Sequence, residues 1–175
     1  MSIILIGYMG SGKTTVGSLL SLYLGKQFYD LDEIIFTWKK QDIHNIFIKK
    51  GESYFRRIET DVLHFFKSIK KKIVISTGGG TPCYSNNINI LNSLGKTFYL
   101  HLFSKEIFQR LRYQKHKRPL ISYLSDDKLL FFIHKHLSNR IKYYDKSNYK
   151  IEIGSSFPEE IAFSIHNQLS LIHYI

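Results

Sequence analysis

Ser2-Ile3-Ile4-Leu5-Ile6 is an unbroken apolar run that stops at Gly7, and over 14–24 the apolar residues Val16, Leu19, Leu20, Tyr23 and Leu24 recur at spacings of three and four. The first pattern predicts a buried strand and the second one face of a helix, so the chain opens as strand, glycine loop, helix. Gln27-Phe28-Tyr29 predicts a short second strand. The runs 72–76 and 96–102 predict further strands, and 149–153 a weaker one ending at Gly154. Helical spacing fills 52–69, 105–114 and 126–145. In the first of these, Phe55, Ile58, Val62 and Phe65 are read as one apolar face. The last helix has a start signal, with Ser156 and Glu159 at capping-box spacing and Pro158 in the first turn. Strands alternating with helices imply an α/β fold, a parallel sheet covered by helices on both faces as a three-layer sandwich. No repeat, linker or low-complexity tract divides the chain, which predicts a single domain over 1–175.

Composition narrows the class. Hydrophobic residues at 43% and charged residues at 22% exclude disorder, collagen and disulfide scaffolds. No apolar run approaches the roughly 20 residues of a membrane-spanning helix, and no basic region precedes the first apolar run as in a secretory signal. A cytoplasmic protein is expected. Cys83 is the only cysteine, so an internal disulfide and a thiolate metal site are both excluded, and a half-buried free thiol is expected. Subtracting 14 acids from 25 bases gives a net +11, which concentrates anions without choosing among nucleotides, acidic metabolites and nucleic acid. Ala162 is the only alanine, so helix propensity informs less than periodicity here.

The chemistry begins at Gly7-Tyr8-Met9-Gly10-Ser11-Gly12-Lys13-Thr14, which satisfies G-x-x-x-x-G-K-[ST] between a strand and a helix. A polyphosphate is wrapped only if consecutive backbone N–H groups point inward, which glycines permit. The helix starting near Lys13 adds its positive end. Lys13 then reaches the β and γ phosphates, and the Thr14 hydroxyl is placed to ligate Mg²⁺. Gly10, Ser11, Gly12 and Thr15 complete the predicted nucleotide contacts.

Asp30 and Asp32 end the second strand, where ligands of open α/β sheets gather. Read as extended chain, two acids two residues apart point in opposite directions, which predicts different tasks: one toward the metal, one toward a substrate hydroxyl. Helix capping by either acid is the competing reading. Arg56 and Glu59 are three apart and able to pair, either as a surface ion pair or as a fixed guanidinium for bidentate carboxylate recognition. Thr77-Gly78-Gly79-Gly80-Thr81 follows the strongest later strand, and three glycines there permit close backbone approach to a ligand. The basic segment from Arg110 to Arg118 reads as a solvated loop, a nucleic-acid patch or a lid closing charge over phosphates. His116 is read as a surface residue. Arg140, near the end of the long late helix, either turns toward the site or complements the helix terminus.

Together these residues resemble the shikimate kinase family over nearly the whole chain. The marks are the loop 7–14, Asp30-x-Asp32, Ile43-x-x-Ile46-Phe47 leading to Gly51-Glu52-x-x-Phe55-Arg56-x-x-Glu59, Gly78-Gly79-Gly80, Arg118-Pro119-Leu120, and Arg140 with Tyr144. The chain departs from the family at Lys142, where proline is frequent. The resemblance implies a five-stranded parallel sheet of the P-loop kinase type with a mobile lid over about 110–125 and a substrate-binding helical segment over about 32–60. It implies transfer of the ATP γ-phosphoryl group to the 3-hydroxyl of shikimate. Substrate contacts are implied at Asp32, Arg56, Gly79 and Arg140, metal contacts at Thr14 and Asp30, and nucleotide contacts at the loop and at Arg118, the lid arginine. Lys13, Asp32 and Arg118 are the implied catalytic residues, Mg²⁺ the cofactor, and shikimate and ATP the partners of a monomer binding neither nucleic acid nor membrane. A second lid arginine is left open between Arg110 and Arg112, as are adenine contacts near Gly154 to Phe157. Two other readings compete: a kinase of another hydroxylated acid, such as gluconate, and an ATP-dependent nucleic-acid-binding or regulatory protein.

Overall fold

The computed structural model describes residues 1–69, 71–115 and 120–172. Five strands, β1 (Ser2–Ile6), β2 (Gln27–Asp30), β3 (Ile73–Ser76), β4 (Gly95–His101) and β5 (Tyr149–Glu152), form one sheet in the order β2-β3-β1-β4-β5. Every pairing is parallel. The crossover helices are α1 (Lys13–Leu24), α2 (Leu31–Lys39), α3 (Ile43–Ser68), α4 (Asn87–Leu94), α5 (Ser104–Leu111) and α6 (Asp126–Tyr144), with α7 (Pro158–Ile172) last. From β1 to β2 the chain steps one way along the sheet, and thereafter it steps back the other way. Right-handed crossovers therefore put α1 on one face and the later connections on the other. Helix α7 returns to pack against α1, while α3 packs against α4. Central strands covered on both faces are apolar throughout, as β1 is from Ile3 to Ile6 and β3 from Ile73 to Ile75. Among the described residues no helix is long and apolar enough to cross a membrane.

The predicted strands hold to within a residue or so, and the free Cys83 is half-buried as expected. Four helical details differ. Helix α3 starts at Ile43 rather than near 52 and is kinked at Gly51, whose φ of 78° breaks the helical path. Its apolar face runs through Phe66, 2% exposed, instead of Phe65, 45% exposed; Phe66, four residues after Val62, returns to the buried stripe, whereas Phe65, three after it, stops short of the full turn and lies against Trp38. At α7 the cap falls one residue later than Ser156 and Glu159: the Glu160 carboxylate accepts from the Phe157 N–H at 2.8 Å. Helix α4, Asn87–Leu94, carries three asparagines and only short apolar spacing, so the periodicity of the chain does not predict it.

The corrected face has a direct test. Phe66→Ala should lower unfolding free energy by about 3 to 5 kcal/mol, the usual cost of emptying an aromatic core position. Phe65→Ala should cost about 1 kcal/mol, the worth of an exposed aromatic pair. Denaturant titration of both variants measures this, and equal losses would refute the assigned face.

Candidate active site

The parallel register brings three strand ends into one row. Asp30 sits beside Ser76, Ser76 beside Leu5, and Ile6 beside Tyr99. The phosphate loop after β1, the glycine turn after β3 and the acid ending β2 therefore emerge together, where the crossovers diverge from β1.

In the loop, Gly10 and Gly12 have φ of 81° and 88°, the left-handed region that glycine tolerates. Ser11 is buried and Thr15 exposed in the first turn of α1. Lys13 is 8% exposed, and its ammonium folds back over the loop to donate to the Tyr8 carbonyl at 2.9 Å. The Thr14 hydroxyl donates to Asp30 Oδ2 at 2.7 Å, and Asp30 Oδ1 accepts from the Asp32 N–H at 2.9 Å. Asp30 is thus both the N-cap of α2 and the partner of Thr14, so the two readings of this acid hold at once. A hydroxyl beside a carboxylate is a hard-oxygen donor set that fits Mg²⁺, which takes few protein ligands and completes its shell with water and phosphates.

Asp32 does not lie in extended chain. It rides the first turn of α2, and the turn of the helix, rather than strand alternation, separates its carboxylate from Asp30. It enters a cleft of about 710 Å³ that Arg56, Glu59, Gly79, Gly80 and Arg140 also line. Water reaches Asp32, yet the cleft walls crowd it. That partial burial, with the neighbouring charges of Asp30 and Glu59, pushes its pKa up to about 6 against the pull of Lys13 and Arg56.

Arg56 is no surface residue. It is 8% exposed and Glu59 is fully buried. Arg56 Nη1 donates to Glu59 Oε2 at 2.8 Å, while Nε and Nη2 donate to Glu52 Oε1 at 3.1 and 2.9 Å. Glu52, one turn before Arg56 and unassigned from sequence, is exposed along most of its side chain. The second Glu59 oxygen, Oε1, accepts a short hydrogen bond from Thr81 Oγ1. Burial raises the Glu59 pKa, opposed by the Arg56 cation.

The triple glycine makes room for these side chains. A Cβ on Gly80 would strike the Arg56 guanidinium, one on Gly78 would stand 2.8 Å from Glu59 Oε1, and one on Gly79 would stand 3.1 Å from the Met9 nitrogen. Close approach to a ligand was the expectation. In this chain the turn is equally closed to side chains by its own site residues. The buried Tyr144 hydroxyl donates to the Gly79 carbonyl at 2.6 Å, which pins the turn from α6. Arg140, one turn earlier on that helix, lines the cleft, and among the described residues no carboxylate lies within ion-pair distance of it.

Arg118 lies outside the described residues, as does His116. Leu120 and Ser122, from the expected lid segment, line the cleft. The structure separates the two candidate lid arginines. Arg110 donates to the Gly154 carbonyl at 3.0 Å beside the phosphate loop at Gly12, whereas Arg112 pairs with Asp126 at 3.4 Å. Besides Glu52, sequence reasoning missed Thr81 and the hydrogen bond from Tyr8 to His136, 2.8 Å. Only Thr81 carried a signal, its place directly after the glycines.

The shikimate kinase family model matches residues 9–170. A shikimate kinase of Parabacteroides distasonis is 36% identical over 170 residues, 97% of this chain and 98% of the relative. The crystal structure of shikimate kinase from Bacteroides thetaiotaomicron superposes with a TM-score of 0.89 at 33% identity, covering 97% of this chain and 98% of that one. Shikimate kinase from Acinetobacter baumannii in complex with shikimate superposes with a TM-score of 0.86 at 35% identity, covering 98% and 93%. A gluconokinase from Sinorhizobium meliloti shares the fold alone, with 15% identity and a TM-score of 0.57. With this loop, this acid pair and this glycine turn on one sheet edge, the chain belongs to the shikimate kinase family.

Proposed function

We propose that the cleft seats shikimate with its carboxylate between Arg56 and Arg140 and its reacting hydroxyl at Asp32, facing a nucleotide held by the phosphate loop. The observation that carries the reading is that two arginines and Asp32 line one cleft, whose wall reaches the phosphate loop at Met9. As a shikimate kinase the protein transfers the γ-phosphoryl group of ATP to the 3-hydroxyl of shikimate, giving shikimate 3-phosphate and ADP.

Such transfer is mostly positioning and charge stabilisation. The acceptor oxygen bonds to the γ-phosphorus, the bond from that phosphorus to the bridging oxygen breaks, and the hydroxyl proton passes to Asp32. A carboxylate with a pKa near 6 is ionised at neutral pH yet more basic than an ordinary one, which suits a proton acceptor. Lys13 exchanges the Tyr8 carbonyl for phosphate oxygens. Thr14 and Asp30 would hold Mg²⁺, which neutralises phosphate charge when bound. Glu52 stands on the outer edge of Arg56 as a stand-in carboxylate, and its exposure lets it withdraw when the substrate acid arrives. Arg110 faces the nucleotide side. The gluconate reading rests on the fold alone. The nucleic-acid reading leaves Asp32 and the glycine turn without tasks.

Lys13→Ala should keep the melting temperature nearly constant while reducing turnover about 10²-fold or more, the scale of losing one positioned charge at the reacting centre. Turnover within about twofold of the parent would remove Lys13 from the mechanism.

For Asp32, kcat/KM for shikimate should fall as pH drops through about 6, because protonation removes the acceptor. The limb should be absent from the residual activity of Asp32→Asn, expected about 10² to 10⁴-fold lower. A limb that survives the substitution belongs to another group.

Arg56→Lys keeps the charge and loses the planar fork, so shikimate should bind at least about tenfold more weakly, roughly 1.4 kcal/mol, with ATP affinity little changed. Binding assays on this variant are more informative than on Arg56→Ala, which strands the buried Glu59 and should unfold more easily by about 3 to 5 kcal/mol. Parent-like shikimate affinity in the Lys variant would show that Arg56 is not the carboxylate clamp.

A further inference from the structure

Behind the cleft, the phosphate loop is joined to α6 by a contact between Tyr8 and His136, neither of which lines the cleft. Tyr8, inside the loop, is 1% exposed. Its hydroxyl meets His136 Nδ1 on α6 at 2.8 Å across 128 positions of sequence, and the two rings pack edge to face with centroids 5.6 Å apart. The His136 ring also packs against that of Phe132, one turn earlier, with centroids 4.9 Å apart. Arg140 is one turn later, and its guanidinium lies over the Tyr8 ring with the central carbon 5.7 Å from the centroid. One aromatic side chain therefore touches the helix at two successive turns. Its own backbone carbonyl receives the Lys13 ammonium.

Wrapping phosphates uses the backbone of this loop and asks nothing of the side chain at position 8. A phenylalanine would fill the same space without importing a hydroxyl that has to be satisfied in the interior. The hydrogen bond is directional where packing is not, and its partner is four residues before an arginine of the cleft, on the same face of α6. We propose that the Tyr8–His136 hydrogen bond is a strut that fixes Arg140 against the phosphate loop, and so sets where the substrate carboxylate sits relative to the transferring phosphoryl group. Tyr8 and His136 are positioning residues, acting through Arg140. The protonation states agree: burial pushes the Tyr8 pKa up to about 12, opposed by the Arg140 cation. Burial and then the Arg140 charge lower that of His136 to about 4. At neutral pH the tyrosine O–H thus donates to an uncharged ring, and the contact is a neutral hydrogen bond beside the arginine. A protonated His136 would repel Arg140. Small displacements of a group that orients substrate cost much in rate, which is the reason to fix α6 with a directional bond.

The inference rests on the reading of Arg140 as a carboxylate contact, and the experiment separates the two. Steady-state KM values for shikimate and ATP, with melting temperatures, are measured for Tyr8→Phe, His136→Asn, Arg140→Ala and the double variant Tyr8→Phe/Arg140→Ala. His136→Asn retains a short polar side chain and guards against failure of the tyrosine variant to fold. Tyr8→Phe should raise the KM for shikimate about fivefold, the scale of one net hydrogen bond, and leave the KM for ATP within about twofold. In the Arg140→Ala background the same substitution should add nothing, since the residue it acts through is gone. An unchanged shikimate KM in Tyr8→Phe, or full additivity in the double variant, overturns the strut while leaving Arg140 in place. A parallel rise of both KM values with a falling melting temperature also overturns it, as general loosening. If Arg140→Ala itself leaves the shikimate KM at the parent value, the reading of Arg140 fails, and the strut with it.

Discussion

Glu59 is a carboxylate with no access to water, and the cleft is organised by the need to keep it satisfied. A buried charge is tolerated only when it is paired and hydrogen-bonded. Arg56 supplies the pairing from the same helix, and Thr81 supplies a hydroxyl from the turn after β3. These two bonds tie α3 to the glycine turn. The turn tolerates no side chain at Gly80 because the guanidinium occupies that space, so the arginine and the glycine specify one another. Tyr144 closes the arrangement from the opposite side by holding the Gly79 carbonyl. Three crossover elements are thereby fixed around one ion pair, and each contributes a residue to the cleft.

The charge pattern around that pair explains how a strongly basic chain keeps an acidic group reactive. Asp30, Asp32, Glu52 and Glu59 stand near Lys13, Arg56 and Arg140, so the local balance is far from the net +11 of the whole chain. Burial first, and then the carboxylates of Asp30 and Glu59, keep the Asp32 pKa up, while Lys13 and Arg56 limit the rise. Because the folded state holds the Asp32 proton more tightly than the unfolded chain does, Asp32 subtracts progressively more from folding stability as pH rises from its ordinary value to about 6. The two arginines do not stand alike. Arg56 is matched by two carboxylates before any substrate arrives, whereas Arg140 faces an aromatic ring and the cleft. Cation affinity for an acid therefore resides unequally in the pair.

Much of this was legible in the linear chain because it depends on local chemistry. The phosphate loop follows from glycine and lysine spacing between an apolar strand and an amphipathic helix. The parallel sheet follows from apolar runs alternating with helical ones, and the Arg56–Glu59 contact from helical spacing. Family resemblance added the specific substrate roles of Asp32, Gly79 and Arg140. The misreadings share a cause: Phe65 in place of Phe66, the cap at Ser156, and the extended path through Asp32 each required knowing where a helix begins or turns, which neighbours rather than propensity decide.

The sequence by itself determined the fold class, the phosphate-binding loop and the kinds of charge brought to the substrate, since those reside in runs of adjacent residues. Tertiary structure alone decided that Arg56 is buried between two carboxylates, that the glycines make room for site residues, and that Arg110 rather than Arg112 faces the phosphate loop. It alone joined Tyr8 to His136. Partners separated by 128 residues leave no periodicity to read, and the burial that turns a surface ion pair into a buried one is a property of the whole packed chain.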